Sequence, residues 1–365
     1  MNILVTGGCG FIGSNFIRLA LKARKDLRIT NLDALTYAGN PENLRDVEKD
    51  SRYKFRRGAI EDGTLVDDLV KSGFDAIVNF AAESHVDRSL YGPSEFVKTN
   101  IQGTLTLLEA AKRHKVQRFL QISTDEVYGS LPPEGFFHET TPLHPNNPYS
   151  STKAGADLMV MAYVNTFDLD ALITRSSNNY GPYQHPEKLI PLHITNAIEN
   201  KKVPVYGDGL YIRDWLHVED NGRGILAALE KGKKGEVYNL GGGNERPNLD
   251  VTRAILKHVG REESLIEHVK DRPGHDRRYA IDCNKSKRDL GWSPEVLFED
   301  GLAATIEWYR KNTAWVSRVK SGEYLKYYEA HYVKGLAGAI DKQTTPIMRR
   351  KKPTATRRPA KARKK

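Results

Sequence analysis

Apolar runs bounded by glycine or polar turns recur along the first half of the chain, at residues 2–6 (NILVT), 28–32 (RITNL), 53–60 (YKFRRGAI), 76–82 (AIVNFAA), 115–122 (KVQRFLQI) and 171–176 (ALITRS). Runs this short, so bounded, read as buried strands. The segments between them carry helical spacing, most clearly over 14–24, over 94–114 and from Pro148 onward. Strand and helix in strict alternation predict an α/β fold of the Rossmann type, a parallel sheet wound on both faces. Asn100 falls inside the 94–114 helix, where asparagine competes with the helical backbone. Solvent exposure would be an adequate reason for it there.

The alternation ends near residue 180. Turn-forming segments at 207–209, 241–244 and 271–276 then follow closely, with Lys188, Tyr206, Arg213, Arg272, His275 and Tyr279 interleaved. The expected division is a first domain over 1–180, to which 215–240 returns through a strand at 237–240, and a smaller mixed α/β lobe over 181–332. An amphipathic helix over 297–310 closes the lobe, and a tail follows over 335–365.

A formal net charge of +10 invites a nucleic-acid reading until it is located. Residues 349–365 hold ten Lys and Arg and no acid, equal to the whole excess, so the rest of the chain is formally neutral. That tail lacks apolar periodicity and cannot bury enough surface to fold. It is expected to be a disordered, solvating extension or an electrostatic contact with nucleic acid, anionic lipid or an acidic partner. Cys9 and Cys283 lie far apart without metal-type spacing, so no metal is expected and a reducing compartment fits. No apolar run approaches the roughly 18 residues of a membrane span. With a strand directly at the N-terminus, these features point to a cytoplasmic protein.

The glycines that follow the first strand change the picture. Gly8-x-Gly10-x-x-Gly13 has the dinucleotide-binding spacing, and Gly7-x-x-Gly10-x-x-Gly13 is a close variant; both lie between a strand and a helix, the context the fingerprint requires. Glycines there permit a tight turn and let a pyrophosphate rest on the helix N-terminus. Asp33 ends the second strand, twenty residues past Gly13. A carboxylate there accepts hydrogen bonds from both adenosine ribose hydroxyls and repels a 2′-phosphate, which selects NAD over NADP. Asp62, after the third strand, is within reach of an adenine amino group. The small Ala81, after the fourth, lets a cofactor pass close, and the polar run 83–89 suits a sugar.

Ser123-Thr124-Asp125-Glu126-Val127-Tyr128-Gly129 follows the fifth strand, and ligands in an open parallel sheet bind at the carboxyl ends of strands. Downstream, Tyr149 and Lys153 are four apart at the start of a helix and share one face. A phenol with a reference pKa of about 10 is a poor base at neutral pH, but a lysine one turn away favours the phenolate. Such a tyrosine takes the proton from a sugar hydroxyl while a hydride leaves the same carbon. Thr124 would hold the substrate oxygen, leaving Asp125 and Glu126 for a second task, one as acid and one as base. In the lobe, arginines suit a diphosphate and aromatic rings suit a nucleobase.

GGCGFIG at 7–13, Asp33, YSSTK at 149–153 and SSNNYGPYQHPEKLIP at 176–191 together resemble the extended short-chain dehydrogenase/reductase family of nucleotide-sugar enzymes. STDEVYG at 123–129, AAESHVDRS at 81–89, YGDGLYIRDWLHVED at 206–220 and DRPGHDRRYAID at 271–282 are similar to its 4,6-dehydratase branch, over roughly residues 1–332. Related epimerases usually lack the Asp125–Glu126 pair, and GDP-mannose dehydratases resemble Thr-Ser-Glu there. The resemblance implies a hydro-lyase that dehydrates a dTDP-linked glucose to its 4-keto-6-deoxy sugar, in rhamnose-type deoxysugar synthesis. UDP-glucose differs by one methyl, worth about 1–3 kcal/mol in a pocket. Epimerisation and decarboxylation are further alternatives; outside enzymes, the rival is an NAD-binding protein whose tail holds nucleic acid.

Carried onto this chain, the resemblance implies that Tyr149 is the base for oxidation of C4 by NAD, with Lys153 tuning it and Thr124 holding the C4 oxygen. Glu126 would remove the C5 proton, and Asp125 would protonate the departing C6 hydroxyl. NAD would be regenerated in each turnover and stay tightly bound. The implied cofactor contacts are Gly7, Gly10, Phe11, Ile12, Gly13, Asp33, Asp62, Ala81, Thr99, Tyr149 and Lys153. The nucleotide-sugar would meet Ser84, Thr124, Asn178, Lys188, Leu189, Tyr206, Arg213, Asn248, Arg272, His275 and Tyr279. A homodimer packed through helices near 94–114 and 149–166 is also implied.

Overall fold

In the computed structural model, which describes residues 1–321, twelve strands are β1 Asn2–Thr6, β2 Arg28–Asp33, β3 Tyr53–Arg57, β4 Ala76–Asn79, β5 Arg118–Thr124, β6 Ala171–Ser176, β7 Asn178–Tyr180, β8 Val203–Tyr206, β9 Ile212–His217, β10 Val237–Leu240, β11 Glu245–Pro247 and β12 Ile266–Val269. The tail expected over 335–365 and the end of the lobe expected over 181–332 lie outside the described residues. Seven strands form one sheet in the order β10-β6-β5-β4-β1-β2-β3, and every pairing in it is parallel. The chain therefore winds outward from β1 in one direction, returns to β4 beside β1, and winds outward in the other. A crevice opens at the carboxyl ends of the strands where the direction reverses.

Why most of these runs become strands follows from their two-sided burial; β3, at the edge of the sheet, is the exception and is largely exposed. Successive side chains of a strand point to opposite faces. Ile3 and Val5 join Phe16, Ile17, Ile225 and Leu229 in one core, while Leu4 joins Ile77, Leu107, Phe119, Val160 and Ile173 in the other. Helices Phe11–Ala23 and Val218–Lys231 supply the first core, and Thr104–Arg113 and Pro148–Phe167 supply the second. A strand covered on both faces has no polar side to show, which explains the unbroken apolar runs.

After β6 the chain leaves the sheet and returns only at β10, which pairs with β6 along the outer edge. Apart from helix Val218–Lys231 and the segment with Leu290 and Trp292, which pack back into the first core, the intervening and following residues form the second lobe. Its sheets, β11-β9-β7 and β12-β8, pack with helices Leu189–Ile198, Asn248–Val259 and Phe298–Lys311 around a third core that contains Ile190, Trp215, Ile255 and Ile306.

The segment expected as one helix over 94–114 is not regular. A turn of α-helix at Pro93–Phe96 widens into π-helix over Val97–Gly103 before α-helix resumes at Thr104–Arg113. Asn100 sits in the wide turn and is 1 % exposed, so solvent does not explain it. Its Oδ1 accepts the Glu83 N–H at 2.9 Å, and its Nδ2 donates to the Glu83 carbonyl at 3.0 Å and to Thr152 Oγ1 at 2.9 Å. One amide thus ties the loop after β4 to the helix that carries Tyr149, and the π-turn aims it there; such turns recur at functional sites.

Asn100→Ala leaves the Glu83 peptide without this partner on both its N–H and C=O. A loss of about 1–3 kcal/mol is expected, read as a lower midpoint in urea unfolding. An unchanged midpoint would show that the tie carries no stability.

Candidate active site

The glycine turn after β1 is built so closely that no side chain fits. Gly7 has φ +68, and a Cβ there would lie 2.6 Å from the Ala81 nitrogen; a Cβ on Gly13 would lie 2.5 Å from the Gly7 carbonyl oxygen. Gly10 begins the helix Phe11–Ala23 without a side-chain cap, so its first N–H groups stay available at the crevice. Asp33 closes the turn from β2: its Oδ2 accepts the Cys9 N–H and its Oδ1 the Leu35 N–H, both at 2.8 Å. Burial raises its pKa, and these two backbone donors oppose the rise. An uncapped helix start, a glycine cradle and a carboxylate at the end of β2 fit the pyrophosphate and adenosine ribose of NAD.

A cleft of about 670 Å³ runs from this cradle across the strand ends. It is lined by Gly7, Gly10, Phe11, Ile12, Gly13, Asp33, Ala81, Ser84, Thr99, Thr124, Asp125, Glu126, Tyr149, Lys153, Asn178 and Lys188. The expected cofactor and catalytic residues therefore meet in one space, with Asp62 as the exception. Asp62 is exposed, and its carboxylate caps the helix Gly63–Val70 by accepting the Leu65 N–H at 3.1 Å. Leu189 opens a helix of the lobe and packs into the third core.

At the far end of the cleft, Thr124 is the last residue of β5, and the chain turns through a short 3-10 helix, Asp125–Tyr128, into Gly129 at φ +91. Thr124 Oγ1 accepts the Glu126 N–H at 3.3 Å and donates to Asp125 Oδ1 at 3.2 Å. Burial, then the neighbouring Glu126 and Asp214, push Asp125 well above the usual carboxyl range. Burial also raises Glu126, opposed by Arg272, Lys188 and Arg213. Asp125 Oδ2 and Glu126 Oε2 are buried without a hydrogen-bond partner among the described residues. Orphaned buried oxygens of this kind mark where a ligand is expected to bond.

Tyr149 is held at the start of its helix by a capping box, in which Asn147 Oδ1 accepts the Ser150 N–H at 2.9 Å and the Asn147 N–H donates to Ser150 Oγ at 3.3 Å. Burial, followed by the charge of Glu126, drives the phenol well above its ordinary value, and a hydrogen bond with Thr124 opposes this. The phenol is thus raised, against the lowering expected from Lys153. The Lys153 ammonium donates to the Ile122 carbonyl at 2.6 Å, and burial pulls it down to about 8 while Asp157 holds it up.

The remaining substrate candidates gather on the lobe side of the carboxyl pair. Lys188 Nζ donates to the Ser84 carbonyl at 2.8 Å. Arg272 Nη1 pairs with Asp87 Oδ1 at 2.7 Å, and the Tyr206 hydroxyl donates to Asp87 Oδ2 at 3.1 Å. The Arg213 guanidinium lies 4.3 Å from the Tyr279 ring centre, and the Tyr279 hydroxyl donates to Asp276 at 2.5 Å. His275 stacks on Tyr211 at 3.8 Å, and its Nδ1 lies 2.7 Å from Asp271 Oδ1; burial, then Arg272 and Arg213, lower its pKa, and Asp271 opposes them. Asn248 Oδ1, like Asn178 Oδ1, is buried without a hydrogen-bond partner among the described residues.

Arg88, from the polar run 83–89, also lines the cleft; sequence reasoning missed Tyr37, His185 and Glu187, and Trp315 and Arg318 near the end of the described chain. Glu187 joins Arg88 and His185, with its Oε2 3.4 Å from Arg88 Nε and 3.7 Å from His185 Nδ1. Nothing in the local pattern distinguishes the missed residues; only a buried charge would have been a signal.

Fold and cleft define a nucleotide-sugar enzyme of the extended short-chain dehydrogenase/reductase type. The chain belongs to the GDP-mannose 4,6 dehydratase family, whose model matches residues 4–305. It is 52% identical over 325 residues to the dTDP-glucose 4,6-dehydratase of Streptomyces niveus, covering 88% of this chain and 96% of that one. It is 56% identical over 309 residues to the low-salt glycan biosynthesis protein Agl12 of Haloferax volcanii, covering 85% and 98%. Among solved structures, DesIV, the dTDP-glucose 4,6-dehydratase of Streptomyces venezuelae with NAD and TYD bound, matches with a TM-score of 0.86 and 50% identity, covering 88% of this chain and 100% of that one.

Because burial raises Glu126, the native state holds its proton to higher pH than the unfolded chain does. Stability from this group is therefore full below the ordinary carboxyl value of about 4.3 and is lost as pH rises through the raised value. Glu126→Gln removes that loss. The variant is expected to melt above the parent at pH 8, with the gap closing toward pH 4; equal melting temperatures throughout would contradict the assignment.

Proposed function

We propose that the protein is an NAD-dependent dTDP-glucose 4,6-dehydratase, converting dTDP-glucose to dTDP-4-keto-6-deoxyglucose and water. The observation that carries the reading is the buried Thr124-Asp125-Glu126 run sharing one cleft with Tyr149 and Lys153. It is supported by identities of 52%, 51% and 48% to dTDP-glucose 4,6-dehydratases over nearly their whole lengths.

The glycine turn with Phe11, Ile12, Asp33, Ala81 and Thr99 would hold NAD, which when bound accepts a hydride from C4 of the sugar and returns it to C6. Tyr149 takes the C4 hydroxyl proton while Thr124 holds that oxygen. Lys153 stays close on the same helical face as a positive charge for the phenolate. With C4 a ketone, the C5 proton is acidic, and Glu126 removes it. Asp125, kept protonated by burial, gives its proton to the C6 hydroxyl as it leaves as water. Two carboxyls in unlike environments thus divide the roles of base and acid. A proton returned to C5 completes the turnover.

Lys188, Arg213 and Arg272 would meet the diphosphate; Asn178, Tyr206, Asn248, His275 and Tyr279 would frame the sugar and the base. In this division the parallel sheet holds the cofactor and the second lobe the nucleotide-sugar. Tyr91, Val97, Leu158 and Phe167 are exposed on the helices around 86–113 and 148–167, and we propose that they meet a second copy in a homodimer. Among the described residues no helix is long and apolar enough to cross a membrane. The proposed setting is cytoplasmic deoxysugar synthesis of the rhamnose type, with the basic tail a contact for an anionic surface.

The test is incubation with dTDP-glucose and, separately, UDP-glucose without added cofactor, following the alkali-induced absorbance of a 4-keto sugar and the loss of water by mass. Turnover of dTDP-glucose well above UDP-glucose is expected, and no ketone from either sugar, even with NAD supplied, would refute the proposal. Tyr149→Phe should lower turnover by about 10²–10⁴-fold. Asp125→Asn should instead stall after C4 oxidation, so that the absorbance of reduced cofactor builds up on mixing.

A further inference from the structure

We propose that Trp315 and Arg318, on the helix Thr313–Val319, form a clasp that retains the adenosine half of bound NAD. The inference rests on reading the cleft as the NAD site and goes beyond it by assigning residues that control how the cofactor leaves.

Trp315, Arg318, Val319 and Ser321 line the same cleft as Asp33, Gly39, Asn40, Glu42 and Asn43. Two bonds fasten the helix Thr313–Val319 to the loop after β2. Trp315 Nε1–H donates to Asn43 Oδ1 at 2.9 Å, and the Arg318 guanidinium grips both oxygens of Glu42, Nε to Oε1 at 2.8 Å and Nη2 to Oε2 at 2.6 Å. Asn43 passes the contact inward: its Nδ2 donates to the Cys9 carbonyl at 3.0 Å, and the Cys9 N–H donates to Asp33 Oδ2 at 2.8 Å. A continuous chain of bonds therefore runs from the Trp315 indole to the carboxylate placed for the ribose.

The opposite bank is fastened as firmly. The Trp315 ring meets Trp308 at 5.1 Å and Tyr183 at 5.9 Å, both edge to face, and Lys320 Nζ pairs with Glu199 Oε1 at 2.8 Å. The helix is thus bonded to the loop after β2 on one side and to the second lobe on the other. An adenosine lying along Asp33 leaves only when the turn Pro41–Leu44 parts from this helix. The chemistry favours such a device: a hydride taken from C4 goes back to C6 of the same sugar, so turnover never requires the cofactor to exchange.

Purified wild type, Trp315→Phe, Arg318→Ala and the double variant would be compared for NAD released per chain on denaturation and for the rate at which bound NAD exchanges with labelled NAD. Phenylalanine keeps the ring in its aromatic neighbourhood and removes only the donor, and Arg318 is half-exposed, so a melting curve checks that each variant folds. Exchange about three- to tenfold faster is expected in each single variant, the range that one lost hydrogen bond or ion pair accounts for. Activity without added NAD should fall and recover when NAD is supplied in excess, which a general loss of packing would not allow. A double variant that melts normally and exchanges NAD at the wild-type rate would overturn the clasp. A wild-type chain that neither carries nor takes up NAD would overturn the reading of the cleft, and the clasp with it.

Discussion

The constraint on which the rest of this structure turns is the burial of two adjacent carboxyl groups, Asp125 and Glu126, at the end of β5. A charge placed there without compensation would be expensive enough to stay protonated or to unfold its surroundings. The sheet alone supplies no counter-charge at that point. The second lobe does, with Arg213 from β9, Arg272 from the segment after β12 and Lys188 from the loop that enters the lobe. Burial presses on the cations in turn, lowering the pKa of Lys188 and of Arg213. Arg272 is tied across the lobes to Asp87, and Arg213 is held within the second lobe by the Asp276 carbonyl at 2.9 Å, so the cations facing the carboxyl pair are fixed in place. The stability given up at this cluster is characteristic of sites where perturbed groups do chemistry.

The same geometry explains how one cleft can serve two kinds of step. Tyr149 and Lys153 enter from a helix whose first turn is locked by Asn147 and Ser150, while Asp125 and Glu126 enter from a strand end locked by Thr124. The two supports are independent, yet they meet because helix Pro148–Phe167 packs across β5. The Asn100 amide adds the third side by holding the loop after β4 to that helix.

Much of this was legible in the chain and some was not, for physical reasons. Strands buried on both faces advertise themselves as apolar runs, so the parallel sheet could be read directly. The glycine turn could be read because its spacing is set by clashes at Gly7 and Gly13, and the Tyr149–Lys153 face because helical periodicity is fixed. Asp62 was assigned to the cofactor, although an acid just ahead of Gly63-Thr64-Leu65-Val66 carries the ordinary signal of a helix cap. Asn100 was read as exposed because a π-turn leaves no mark in the periodicity on either side of it. Trp315 and Arg318 were missed because only the tertiary path brings the helix Thr313–Val319 over the loop after β2. The bond from the Lys153 ammonium to the Ile122 carbonyl was unforeseen because spacing fixes a shared face but not where the ammonium bonds.

The position of β10 has a consequence for how the protein is made. A ribosome delivers β6 at 171–176 but its outer neighbour only at 237–240, roughly sixty residues later. At about 5–20 residues per second the emerging sheet shows an unpaired parallel edge for several seconds. Throughout that interval the nascent chain carries an apolar strand open to pairing with other chains. The second lobe is therefore also an interruption in time, and the step that closes the sheet waits until its first strands, β7, β8 and β9, have been made.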